Sequence, residues 1–190
     1  MVHTFAVYVE NKPGVLNRVA SLFRRRAYNI ESLTVGHTEK PGVSRMTIVV
    51  DTDEFGARRL EAHLYKLVNV LYVDDLSASP SVTRDLAMIK VSANLDSRSH
   101  ILQLAHVFRA RVVDVSTDSI IVEITGTEDK IDGLLEVLRP YGILEMVRTG
   151  RVAMARGAKA AAAAVAGSGA NTGSLYADEF SQPDDVSYSV

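Results

Sequence analysis

At 190 residues, 47% of them hydrophobic and with a formal net charge of −2, the chain has room for one ordinary domain or two small ones and the composition of a globular protein. Near-neutral charge and 6% aromatic content give no footprint for a nucleic-acid surface. Cysteine is absent, which excludes disulfides, thiolate metal sites and cysteine nucleophiles. No apolar run approaches the roughly 18–20 residues of a membrane span, and no basic segment leads into an apolar one at the start. A cytoplasmic protein is expected, with no membrane or nucleic-acid partner.

The first strand runs from His3 to Glu10, with Phe5, Val7 and Val9 on one face. Asn11-Lys12-Pro13-Gly14 turns it into a helix from about Gly14 to Arg26, whose apolar stripe is Val15, Val19, Leu22 and Phe23. A strand from Asn29 to His37 and another from Val43 to Thr52 are joined by the Lys40-Pro41-Gly42 turn. Asp53 is placed to cap a second helix (about Glu54 to Leu67) with Leu60, Leu64 and Leu67 inward, and Val70 to Ala78 completes the unit. The order βαββαβ predicts an α+β, ferredoxin-like unit, a four-stranded antiparallel sheet with both helices on one face.

The order then repeats after the Ser79-Pro80-Ser81 loop. Strand Leu86–Ala93 is followed by a helix with Ile101, Leu104, Ala105 and Phe108 on one stripe. Strands Val112–Val115 and Ile120–Thr125 come next. A helix from Glu128 to Arg139 buries Ile131, Leu134, Leu135 and Leu138, and Ile143 to Val147 closes the unit. Two such units are expected, over 1–79 and 80–157. Residues 158–190 form an alanine-rich, then Gly/Ser/Asn-rich and acidic stretch, expected to be a disordered tail.

The first strand-to-helix turn carries the most chemistry. Pro13 has no N–H, so Gly14, Val15 and Leu16 supply free backbone donors at a positive helix end, a seat for a small carboxylate. Gly14 lets a ligand approach the backbone. The amides of Asn11 and Asn29 are able to accept from an ammonium and donate to a carboxylate. Read from the residues alone, the same turn serves equally well as a plain strand-to-helix junction punctuated by Pro and Gly. Arg24-Arg25-Arg26 suits a helix C-terminus. The five histidines have no ligand-like spacing, Asp51/Asp53 and Asp74/Asp75 suit turns and caps, and no phosphate loop, nucleophile elbow or triad is present, so metal and catalytic sites are not expected.

The run from Asn11 to Gly36, NKPGVLNRVASLFRRRAYNIESLTVG, resembles the ACT domain of acetolactate synthase (acetohydroxyacid synthase) small regulatory subunits. Ser44-Arg-Met-Thr-Ile-Val-Val50, Leu64–Leu71, Arg84–Val91, Phe108–Val115 and the closing Gly150-Arg-Val-Ala-Met-Ala-Arg-Gly157 are similar to later signatures of that family, in order, over about residues 3 to 157. Asn-x-Pro-Gly alone is generic to ACT domains. The Asn-Ile-Glu-Ser-Leu and Ser-Arg-Met-Thr runs are specific to this subunit.

The resemblance implies a two-domain, non-catalytic regulatory subunit. Such a subunit forms a homodimer, activates the thiamine-diphosphate catalytic large subunit and confers feedback inhibition by valine in branched-chain amino acid biosynthesis. The effector site implied lies where two ACT domains pair. Asn11, Gly14, Val15 and Leu16 come from one chain, and Asn29 and Ile30 from the other. No cofactor is implied on this chain; thiamine diphosphate, Mg and FAD are expected on the catalytic subunit. One departure stands out: Ala27 occupies the position where the family usually has glycine, just past a helix end that often needs positive φ. A free-standing ACT-pair sensor of another pathway is the competing reading, but it need not carry the Ser44–Thr47 run or the Gly150–Gly157 motif. An RNA-binding module shares the βαββαβ order, yet the strand at Met46–Val50 carries no stacking aromatic.

Overall fold

The computed structural model describes residues 1–157. The expected tail, 158–190, lies outside the described residues. The first unit comprises β1 (Val2–Glu10), α1 (Val15–Arg25), β2 (Ile30–His37), β3 (Val43–Asp51), α2 (Glu54–Leu64) and β4 (Val70–Asp75). Its strands pair antiparallel in the order β2-β3-β1-β4. The alternation seen in the sequence places Phe5, Val7 and Val9 in one buried cluster with Met46, Ile48 and Val50, and the α1 stripe of Val15, Val19, Leu22 and Phe23 closes over it. Leu60 and Leu64 of α2 complete the core. Leu67 lies beyond the helix but still packs against it. Asp53 caps α2 by accepting from the Gly56 N–H at 2.6 Å.

The second unit comprises β5 (Ser81–Ser92), α3 (Leu95–Val107), β6 (Arg111–Val115), β7 (Ser119–Gly126), α4 (Glu128–Leu138) and β8 (Ile143–Arg148). Its order, β6-β7-β5-β8, repeats that of the first unit. Ala87, Ile89 and Val91 bury against Ile101, Ile120, Val122, Ile131 and Leu134. The chain is therefore a pair of ferredoxin-like α+β units, as the pattern predicted.

The repeat extends to a detail with no counterpart in the loop sequences. The first helix of each unit ends with a non-glycine residue in the left-handed region, Ala27 (φ 57°) and Arg109 (φ 52°). In each, two backbone bonds close the helix end. Tyr28 N–H donates to Phe23 O (3.0 Å) and Ala27 N–H to Arg24 O (3.2 Å); Ala110 N–H donates to Ala105 O (2.8 Å) and Arg109 N–H to His106 O (3.0 Å). These are Schellman caps. The first also brings Tyr28 edge-on to Phe23, ring centroids 6.4 Å apart.

Two features depart from expectation. β5 begins at Ser81 rather than Leu86, because its first four residues pair with a ninth strand, β9 (Val152–Ala155), in the register Ser81↔Ala155 to Arg84↔Val152. That strand carries the closing motif back across the first sheet, where Ala153 is buried with Ala6 and Leu76.

Candidate functional site

The junction between β1 and α1 is a tight turn. Val15 N–H points to Lys12 O at 3.4 Å, and Gly14 sits at φ 82°, ψ −6°. Those angles belong to the third position of a type II turn, which calls for glycine there and favours the Pro13 that precedes it. Nothing lies within 4 Å of the place a Cβ on Gly14 would occupy, so the backbone is open to an approaching ligand. The helix has no side-chain N-cap. Among the described residues, the N–H groups of Gly14, Leu16 and Asn17 have no acceptor.

This corrects one expectation and adds a residue. Val15 was expected to be a free donor, but its N–H closes the turn and its side chain is buried at the helix base. Asn17, not singled out from the sequence, offers a donor instead. The signal was available in the helix start: with Val15 rather than Gly14 as first helical residue, the orphan N–H groups extend one residue further. Leu16 is exposed, as is Asn11. The Asn11 N–H donates to Gly42 O at 2.8 Å, pinning the turn to the β2–β3 hairpin. Behind it, Asn69 donates to Glu10 at 2.6 Å and accepts from Arg18 at 2.7 Å. The Asn69 bond, followed by the Lys12 ammonium, holds the Glu10 carboxyl below its ordinary range.

Asn29 and Ile30 lie at the other end of α1. Asn29 is exposed, and its amide donates to the Glu31 carboxylate at 2.5 Å, a partner the sequence reading did not name. Ile30 opens β2, an edge strand of its sheet, and packs partly against the core. An irregularity between Ile30 and Ser32 shifts the pairing with β3, so Ile30 and Leu33 both reach the core. Eleven helical residues, about 16 Å of α1, separate Gly14 from the Asn29 end. One amino acid cannot touch both sets in a single copy.

The opposite face of β2 meets the closing motif. Arg151 N–H donates to Ser32 Oγ (2.8 Å), and Thr34 Oγ1 donates to Arg151 O (3.1 Å). Arg45 of β3 donates to Ala153 O and to Tyr8 Oη (3.1 Å), its guanidinium 5.5 Å from the Tyr8 ring centre. Arg148 is held by Asp85 (2.8 Å) and Asp132 (2.9 Å), and Arg151 by Glu128 (2.8 Å). The Ser44–Thr47 run and the Gly150–Gly157 motif, far apart in sequence, thus form one junction between the units.

Two family models match the chain. The AHAS small subunit-like ACT domain covers residues 5–72, and the small subunit of acetolactate synthase covers residues 84–157. The probable acetolactate synthase small subunit of Archaeoglobus fulgidus is 54% identical over 159 residues, 84% of this chain and 99% of that protein. The chain belongs to the acetolactate synthase small-subunit family. The acetolactate synthase small subunit of Mycolicibacterium smegmatis is 48% identical over 162 residues, 85% of this chain and 95% of its own. The crystal structure of the acetolactate synthase small subunit from Thermotoga maritima superimposes with a TM-score of 0.78 at 40% identity, covering 83% of this chain and 99% of that one. Membership carries a regulatory-subunit role and partnership with a catalytic large subunit. Among the described residues, no helix is long and apolar enough to cross a membrane, and no group of three or more His, Cys, Asp or Glu is placed to hold a metal ion.

Proposed function

We propose that this chain is a non-catalytic, cytoplasmic subunit that activates the catalytic subunit of acetolactate synthase and inhibits it when valine is bound. The thiamine diphosphate, magnesium and flavin belong to the catalytic subunit. The observation that carries the effector site is the open N-terminus of α1, where a glycine with no side chain in the way stands beside the unpaired N–H groups of Leu16 and Asn17. The effector's carboxylate sits there, on the positive helix end. Its ammonium is met by the amide oxygens of Asn11 and of Asn29 from a second copy. Its side chain lies against Leu16 and the second copy's Ile30, above the buried Val15. The need for a homodimer follows from the length of α1, which keeps the two halves of the site apart within one copy. Leucine and isoleucine compete at higher concentration, since one methylene in an apolar pocket separates ligands by only about 1–3 kcal/mol.

The test is reconstitution with the catalytic subunit and assay of acetolactate formation with and without valine. Gly14→Asp puts a carboxylate where the effector's own should lie. At φ 82° it costs roughly 1–2 kcal/mol of strain, but its Cβ meets no neighbour, so the fold survives. Activation should persist and valine inhibition disappear. Asn29→Ala should weaken inhibition less, by a hydrogen bond worth about 1–3 kcal/mol. Folded dimers of both variants that stay fully valine-sensitive would refute the site; failure of the wild-type chain to stimulate the catalytic subunit would refute the role.

A further inference from the structure

Between α1 and α2 lies a cleft of ≈ 340 Å³ lined by Leu22, Arg25, Arg26, His63, Lys66 and Leu67. Four of the six lining residues are basic and none is acidic. Among the described residues, Arg25, Arg26, His63 and Lys66 make no ion pair; the one side-chain bond of Arg25 goes to the Ser21 carbonyl of its own helix. Cations in the last turn of a helix answer its dipole, which accounts for Arg24 and Arg25 singly. It does not account for three like charges, Arg25 and Arg26 at the end of α1 and Lys66 just past the end of α2, gathered around one cavity with no counter-charge, an arrangement that repels itself.

We propose that this cleft binds a small phosphomonoester. A phosphate monoester brings about −1.5 to −2 charges at neutral pH and three acceptor oxygens, which suits forked guanidinium donors beside an ammonium. A single carboxylate would leave most of the cationic charge unanswered. The cavity is in the size range of small-molecule sites, too large for inorganic phosphate alone, and the Leu22 and Leu67 side chains give the ester's organic body an apolar floor. His63 fits the same reading. Its Nδ1 is enclosed without a well-formed hydrogen bond, although the nearby Arg59 carbonyl favours the protonated ring. Desolvation first, then the charges of Arg26 and Lys66 and finally Arg59, hold its pKa below the ordinary histidine value. No carboxylate is among the groups acting on it. A dianion in the cleft reverses that field, so binding takes up a proton.

The cleft is distinct from the Gly14 end of α1, and the inference stands independently of the valine reading. The experiment is calorimetric titration of the full chain with phenyl phosphate, inorganic phosphate and benzoate at neutral pH, repeated in two buffers of different ionisation enthalpy, with valine titrated as a control. Phenyl phosphate should bind once per chain, more tightly than either other probe, with a heat that depends on the buffer. Arg26→Gln combined with Lys66→Gln should weaken it by about 10-fold or more, as expected for lost charged hydrogen bonds, while the response to valine stays unchanged. His63→Gln should keep binding but lose the proton uptake, leaving only the small release from the ester's own second ionisation. Absence of phenyl phosphate binding below about 10 mM, equal affinity for inorganic phosphate, or an undiminished affinity in the double variant each overturns the proposal.

Discussion

Gly150 is the position where a single methyl group tests the junction between the units. A Cβ built there would lie 2.7 Å from Ser32 Oγ, 2.7 Å from Thr34 Oγ1 and 2.9 Å from the Leu33 carbonyl oxygen. The two hydroxyls are able to rotate away, but doing so surrenders their bonds to Arg151. The carbonyl belongs to the backbone of β2 and moves only with the strand. Forcing the methyl in costs about 1–3 kcal/mol, the usual range for overpacking. Lifting the closing segment off instead loses two hydrogen bonds of about 1 kcal/mol each. Both routes arrive at roughly 2 kcal/mol, a fall of about 4–8 °C in melting temperature for a chain of this length. Gly150→Ala should therefore melt early, and the Arg151 amide should lose hydrogen-exchange protection before the cores do. Gly36→Ala is the matched control, since nothing stands within 4 Å of its Cβ and its change should be within about 0.5 kcal/mol. An unchanged melting temperature together with a still-protected Arg151 amide in Gly150→Ala would show that the contact carries no weight.

Ala27→Gly should stabilise the chain by about 0.5–1 kcal/mol in urea denaturation, because alanine at φ 57° bears a strain that glycine does not; a lower midpoint would contradict the Schellman assignment. Asp85→Asn removes the most buried partner of Arg148 while Asp132 and the more distant Glu128 remain, so a loss of about 1–3 kcal/mol is expected, and equality with wild type would mean that those two suffice. Glu61 has its carboxyl pKa raised by burial first, then by Asp75 and Asp74. A folded pKa above the unfolded one means its contribution is present at low pH and lost as pH rises through the folded value. Glu61→Gln should thus melt higher than wild type at neutral pH, with the gap closing below about pH 4; a gap that widens on acidification would reverse the sign.

The cores were legible because period-2 and helical periodicities each point one way. Every residue of the predicted α1 stripe is buried, and the Lys40–Gly42 turn and the Asp53 cap stand where local chemistry puts them. The first third of β5 was not legible. Ser79-Pro80-Ser81 has linker chemistry, and Ser81–Arg84 becomes a strand only because β9, some seventy residues later, arrives to pair with it. The α1 turn was readable as a donor site from Pro13 and Gly14. Which N–H groups stay free depended on the type II geometry, and hence on the φ of one glycine. The Asn29–Glu31 bond was invisible for another reason. Alternation puts residues 29 and 31 on one side of a regular strand, but whether two exposed polar side chains meet is decided by their rotamers.

The junction gives the Ser44–Thr47 run and the Gly150–Gly157 motif, which carry no binding chemistry, a structural role. Arg45 ends in three polar contacts and one ring face: Ala153 O, Tyr8 Oη, Thr47 Oγ1 and the Tyr8 ring. Lysine, with one compact ammonium, cannot satisfy that set. Gly150 has no side chain because β2 passes within 3 Å of where one would be. The same strand that opens with Ile30, beside Asn29, presents Ser32 and Thr34 to Arg151 two to four residues on, and the irregular pairing between Ile30 and Ser32 is what turns those side chains toward the second unit. β2 is thus shared property, an edge strand whose start belongs to the proposed effector site and whose middle is bolted to the other domain, so neither end can be displaced as a rigid strand without straining the other.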